Sequence, residues 1–307
     1  MKKRVIVFVL IVACLRLTSC SQTENSANDW AKRAGAKYDI KDYQGAVIDY
    51  TKAISLKPDF ADAYHGRGNA KSDLGDYQGA IADYTKAIDL EPGNPMDYYN
   101  RGNAKSHLKD YQGAIADHTK AIELKPDYAD AYINSGNAKS NLGDYQGAIA
   151  DFTKAIGLKP DLADAYFNRG NEKSHLQDYQ GAIADYTTAM GLEPGKAIQY
   201  YNRGSAKSQL KDLQGAIADF TKAIELKPDF TEAYYNRGVE KMMLQDALGA
   251  ITDFTKAIGL NPDLAVAYIN RGQSHLHLDQ KDKALADFMR AIELGQRIPQ
   301  EILDACK

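Results

Sequence analysis

Tryptophan occurs once in the 307 residues, at Trp30, and cysteine three times, at Cys14, Cys20 and Cys306. So few cysteines exclude a disulfide-stapled scaffold. No apolar run reaches the about 20 residues that a membrane-spanning helix needs; Val5 to Leu15 is a run of eleven. Charge is nearly balanced, 38 Lys and Arg against 41 Asp and Glu, so nothing marks a nucleic-acid binder. The six His show no metal-ligand spacing. His275 and His277, two apart, fall on nearly opposite faces of a helix. There is no Walker loop, dinucleotide fingerprint or nucleophile elbow. With no catalytic constellation, the chain reads as a non-enzyme without metal or small-molecule cofactor.

What is present is lopsided. There are 20 Tyr and 24 Gly, with 44% hydrophobic and 26% charged residues. That balance is globular, and the uneven counts point to one short unit copied many times. The glycines at 68, 102, 136, 170, 204, 238 and 272 are each 34 residues apart, and so are the prolines at 58, 92, 126, 160, 194, 228 and 262. Eight copies follow: 27–60, 61–94, 95–128, 129–162, 163–196, 197–230, 231–264 and 265–298. Length alone would suggest two domains, but a periodic chain is read as one stacked array.

The second copy shows the physics. A first helix is predicted from about Ala61 to Leu74, with Asp59 (Asp127 and Asp161 in later copies) as its N-cap and Gly75 closing it. Asp76 then caps a second helix, about Tyr77 to Leu90. Ala80, Ile81, Tyr84, Ala87 and Ile88 form its apolar stripe, and Pro92 stops it. Gly68, Ala80 and Ala87 have almost no side chain, so helices can approach closely there. The glycines at 45, 79, 113, 147, 181, 215 and 249 recur in the first turn of the second helices with no reason visible in the sequence.

This series of Tyr64, Gly68, Ala80, Tyr84, Ala87 and Pro92 resembles the tetratricopeptide repeat in period and in residues. The resemblance implies an all-α, right-handed superhelical solenoid of eight helix-turn-helix units, first helices lining a concave groove. Departures are Ala34 for Gly, His118 for the packing aromatic, and Gln296, Lys281 and Lys283 in the last copy. Terminal copies are expected to be atypical. Residues 299–307 read as a cap, with Pro299 starting a short helix and Ile302 and Leu303 covering the end.

Groove chemistry follows from comparing the copies. The fifth position varies: Ala31, His65, Tyr99, Ile133, Phe167, Tyr201, Tyr235, Ile269. A constant frame with a variable groove suits recognition of a partner; exposed positions also drift freely. The sixth position instead holds Asn100, Asn134, Asn168, Asn202, Asn236 and Asn270. Their amides offer donors and an acceptor to an extended peptide, like the asparagine ladder of some tetratricopeptide proteins. Tyr99, Phe167, Tyr201 and Tyr235 would then supply apolar anchors. Alternatively, the amides link adjacent helices. A third column, Arg67, Arg101, Arg169, Arg203, Arg237 and Arg271, has Lys four residues on and Asp83 and its equivalents on the second helices. It reads as an inter-helix ion-pair network or a solvated face, each exposed pair worth under about 1 kcal/mol. Groove-side Val239, Met242, Met243, Val266, Ile269 and Leu276 suit either a partner or the C-terminal segment. The lysine-and-asparagine clamp for C-terminal carboxylates, known in some members, is not matched.

The N-terminus reads apart from the repeats. Lys2, Lys3 and Arg4 precede the apolar run, which ends in Leu17-Thr18-Ser19-Cys20. That arrangement fits a signal peptide over residues 1–19 and resembles the lipobox of bacterial lipoproteins. The resemblance implies lipidation at Cys20, followed by a tether over 20–26. Cleavage would remove four basic residues, leaving 34 against 41 acidic, a net charge of −7. Ser21 in place of Asp favours the outer membrane by the same resemblance. The expected function is an envelope-anchored scaffold, periplasm-facing or surface-exposed. It would capture a protein or peptide partner in its groove, with the membrane touched only through lipid. The alternative is an assembly element that self-associates through its lateral or end faces.

Overall fold

A computed structural model describes residues 26–307, and all their regular secondary structure is helical. The expected signal peptide, Cys20 and most of the expected tether lie outside the described residues. The chain forms two compact units, one ending at Leu124 and one spanning Lys125–Lys307. In the first unit the helices are α1 (Ala27–Asp39), α2 (Tyr43–Leu56), α3 (Ala61–Asp73), α4 (Tyr77–Leu90), α5 (Pro95–His107) and α6 (Tyr111–Leu124). The second holds α7 (Ala129–Asn141), α8 (Tyr145–Leu158), α9 (Ala163–His175), α10 (Tyr179–Leu192), α11 (Ala197–Gln209), α12 (Leu213–Leu226), α13 (Thr231–Met243), α14 (Ala247–Leu260), α15 (Ala265–His277), α16 (Lys281–Glu293) and α17 (Gln300–Ala305). Odd-numbered helices up to α15 open the repeats and even-numbered helices close them.

The second helices of the first seven repeats start at an Asp N-cap, and Gln280, which makes no side-chain cap bond, takes that place in the last. Asp76 accepts from the Gly79 N–H at 2.9 Å, and Asp144, Asp178, Asp212 and Asp246 do the same at their own glycines. The Asp76 carboxyl crowds the place that a Cβ on residue 79 would take, a contact that a small turn of the Asp side chain relieves, so glycine is favoured there without being required. First helices begin differently from expectation. Asp59, Asp127 and Asp161 do not cap them. Phe60, Tyr128 and Leu162 occupy the N-cap and make no side-chain cap hydrogen bond. A tight turn, with Phe60 N–H donating to Lys57 C=O, takes up the Asp and leaves the apolar residue at the helix start. The equivalent Phe230 is buried against Ala223, Ile224 and Ala233, so the cap place is given to packing.

The two helices of a repeat meet at the eighth-position glycine. A Cβ on Gly68 would stand 2.7 Å from the Tyr84 ring, and one on Gly238 would stand 2.8 Å from Phe254. In the first repeat Ala34 fills that place. The Tyr50 ring there lies over Gly66 of the next repeat, so closely that no Cβ fits. Hence the asparagine column starts only at Asn100: its second-repeat place must be glycine. At the C-terminus Ile298, Ile302 and Leu303 pack with Ala284, Phe288 and Cys306. Burial raises the Cys306 thiol pKa. Leu276 joins that cluster, while Met243 and Val266 stay exposed.

Candidate functional site

The Arg, Lys and Asp columns form ion pairs whose carboxylates are buried. Arg203 donates from Nε and Nη2 to both oxygens of Asp219 at 2.9 and 2.7 Å, and Lys207 lies 2.8 Å from it. Asp219 is 4% exposed. Arg203 Nη1 also donates to Thr187 Oγ1 of the preceding repeat, and its guanidinium lies over the Tyr200 ring. The fork recurs at Arg67, Arg101, Arg169, Arg237 and Arg271. Asp219 raises the Arg203 pKa through its hydrogen bonds. The solvated-face reading with sub-kilocalorie pairs is therefore corrected. These pairs are part of the frame, and desolvation makes breaking one expensive.

The asparagine column links neighbouring repeats. Asn100, Asn168 and Asn202 donate to the side-chain oxygens of Asn69, Asn137 and Asn171 at 3.1, 3.1 and 2.9 Å. Where the ninth position is no longer Asn, the partner changes. Asn236 and Asn270 donate to the hydroxyls of Tyr201 and Tyr235, both at 3.0 Å. Asn134 is also engaged. The anchors are half-buried in the same way. Tyr99 packs on His118, Phe167 on Tyr186, Tyr201 on Phe220 and Tyr235 on Phe254, with ring centroids 5.7 to 5.8 Å apart. Both groups thus do structural work and keep part of their surface on the first-helix side.

The structure brings two of the sequence-derived site residues, Tyr201 and Asn202, into one place. A cavity of about 490 Å³ is lined by Asn171, Glu172, Ser174, Tyr186, Tyr201 and Asn202, among others. Asn171 is its junction, accepting from the Tyr186 hydroxyl and from Asn202 Nδ2, both at 2.9 Å. Burial is the main cause that raises the Tyr186 pKa, so its hydroxyl stays a neutral donor. Glu172 was not among the expected site residues. Its trace in the sequence is plain once the copies are aligned, because a Glu replaces the Ala found at positions 36, 70, 104, 138 and 206.

Sequence profiles described as tetratricopeptide repeat match residues 61–94, 97–128 and 197–230, and 163–196, 231–264 and 265–294. A profile described as TPR repeat matches 36–75 and 136–172. The chain is a tetratricopeptide repeat protein. Among curated proteins none matches it in sequence. Solved tetratricopeptide structures share its fold. The C-terminal part of a TPR repeat-containing protein from Cytophaga hutchinsonii is 19% identical, with TM-score 0.68 over 78% of this chain and 98% of that one. A tetratricopeptide repeat protein from Parabacteroides merdae is 21% identical, with TM-score 0.58 over 80% and 98%. YrrB, described as a TPR protein with an unusual peptide-binding site, is 24% identical, with TM-score 0.56 over 61% and 97%. No described helix of this tetratricopeptide protein is long and apolar enough to cross a membrane.

Proposed function

We propose that this protein is a non-catalytic interaction scaffold that holds peptide or protein partners against its first helices. One observation carries the reading. Ion pairs and glycine–ring contacts repeat almost unchanged, while the half-exposed fifth positions differ from copy to copy. YrrB, with the same fold, is described as having a peptide-binding site, which is consistent with this use. The asparagine column serves both roles: Asn100, Asn168, Asn202, Asn236 and Asn270 each spend one donor on the neighbouring repeat and present the rest to a peptide backbone. The reading is tested by selecting displayed peptides on the full chain. Tyr201→Ala is expected to weaken the selected peptides roughly tenfold, as truncating an aromatic anchor does, and Lys222→Ala on the outer side of α12 to leave them unchanged. Equal loss from both variants contradicts the reading.

Anchoring to the bacterial envelope through Cys20 belongs to the same proposal, and it rests on the Leu17-Thr18-Ser19-Cys20 run. In a bacterial host, an alkynyl fatty acid is expected to label the wild-type chain and to be lost with Cys20→Ser, which moves to the soluble fraction. Undiminished labelling of Cys20→Ser overturns it. A second reading, self-association, draws on Ile40 and Ile48, which are 76% and 60% exposed near the N-terminal end. A concentration-independent monomer in analytical ultracentrifugation excludes it.

A further inference from the structure

The tenth residue of each repeat sits on a first helix. It is Ala in five copies and Ser274 in the last, but Glu172 and Glu240 in the fifth and seventh. Glu172 is 5% exposed. Its Oε1 accepts from Ser140 Oγ at 2.7 Å, and its Oε2 has no hydrogen-bond partner. Burying a carboxylate oxygen unpaired is unfavourable, and the alanine of the other copies would avoid it. Both Glu172 and Ser140 form part of the wall of the 490 Å³ cavity. No lysine or arginine lines that cavity, and its one basic group, His175, is stacked on Tyr145 with centroids 4.7 Å apart. A site with a buried, half-satisfied carboxylate and no cation of its own is built to receive one.

Glu240 shows what the site needs besides the carboxylate. Ser208 Oγ donates to its Oε1 at 2.5 Å and its Oε2 is again unpartnered. Around it, however, stand Val239, Met242, Met243 and Phe254, where Glu172 has Asn171, Ser174, His175 and Tyr186. The counterparts of Asn202 and Ser205 stay polar, as Asn270 and Gln273, but Asn171, Ser174 and the Tyr186 hydroxyl have no polar counterpart around Glu240.

We propose that the Glu172 cavity seats a lysine ammonium of the bound partner. With Oε1 held by Ser140, one carboxylate oxygen remains. That suits a point charge with three donors better than the bidentate fork of an arginine. The terminal torsion of a glutamate is soft, so the carboxyl can turn its oxygen into the cavity. The hydroxyls of Ser174 and Ser205 stand among the lining groups to accept the remaining ammonium protons. The proposal rests on the peptide-capture reading and names the chemistry of its partner.

The test is a titration of the full chain with n-butylammonium chloride, the lysine head group alone, followed by amide NMR; n-butanol and sodium chloride are the controls. Saturable shifts are expected at Ser174, Asn202 and Ser205 with butylammonium only. Glu172→Gln should weaken them roughly tenfold or more, the size of a charged hydrogen bond, while Glu240→Gln leaves them in place. Glu172→Gln should melt no lower than wild type, since it removes a buried charge. No saturation, an equal response to butanol, or an unaffected Glu172→Gln chain overturns the proposal. Its failure leaves peptide capture standing, because selected peptides lacking lysine would still depend on Tyr201. Failure of every selected peptide would sink the capture reading without touching the butylammonium result.

Discussion

Arg203→Leu is expected to destabilise the protein by about 3–5 kcal/mol, the range for breaking a buried pair. The substitution leaves Asp219 buried with only Lys207 beside it, while Thr187 Oγ1 keeps its bond to the Ile183 carbonyl. Two comparisons make this more specific. The fourth repeat carries Ser135 where its neighbours have Arg, and there Asp151 keeps a single partner, Lys139, at 2.6 Å. Its side chain is correspondingly more exposed, 13% against 5% for Asp219. Arg203→Ser, which can admit water in the same way, should therefore cost less than Arg203→Leu. Replacing Arg203, Lys207 and Asp219 together by Met and Leu residues should cost less than the single Leu variant, because no charge is left unpaired. Urea denaturation followed by circular dichroism checks the order. A loss under about 1 kcal/mol for Arg203→Leu would show the pairs to be ordinary surface contacts.

The second large effect is expected at His118, and it depends on pH. His118 is fully buried where other repeats place Tyr or Phe, and neither ring nitrogen has a partner. Burial lowers its pKa from 6.5 to about 4. The sign follows from which state takes up the proton. Between pH 6.5 and 4 the unfolded chain binds a proton that the folded chain refuses, so stability falls as pH falls through that window. Integrated, the loss is about 3 kcal/mol. His118→Phe should gain about 1–3 kcal/mol at pH 7, where it only relieves unpartnered nitrogens. Its advantage over wild type should then widen to pH 4. The ring lies against Gly102, and the equivalent glycines, such as Gly136 and Gly238, already face a Phe ring. Parallel melting curves for the two proteins would contradict the assignment of His118 as a neutral core residue.

The fold was legible because its determinants are local and repeated. Asp76, Gly79 and Pro92 bound α4 at Tyr77 and Leu90, where the sequence places it. Gly68 and Tyr84 mark the crossing of the two helices in sequence as in space. What escaped was whatever depends on depth or on a neighbouring repeat. A charged residue beside an apolar stripe looks exposed, yet Asp83, Asp117 and Asp219 lie under Arg side chains and are buried. Ala34 read as a terminal irregularity. In the structure the Tyr50 ring of that repeat lies on Gly66, where later copies carry the asparagine column. At the site, Tyr201 and Asn202 were visible as a variable and a constant position. Their partners Asn171 and Asn236 belong to adjacent copies, and only packing shows that anchor and amide are wired together. Glu172 was hidden among alanines whose role is to be small.

Cross-linking tests the central claim most directly, that a constant frame presents variable first-helix side chains to a peptide. Benzoylphenylalanine is placed in the full chain at Tyr201 or, separately, at Lys222, and each protein is irradiated with a selected peptide. The account predicts a covalent adduct from position 201 and none from position 222. Adducts from position 222 with none from 201 would place the partner on the second helices and contradict it.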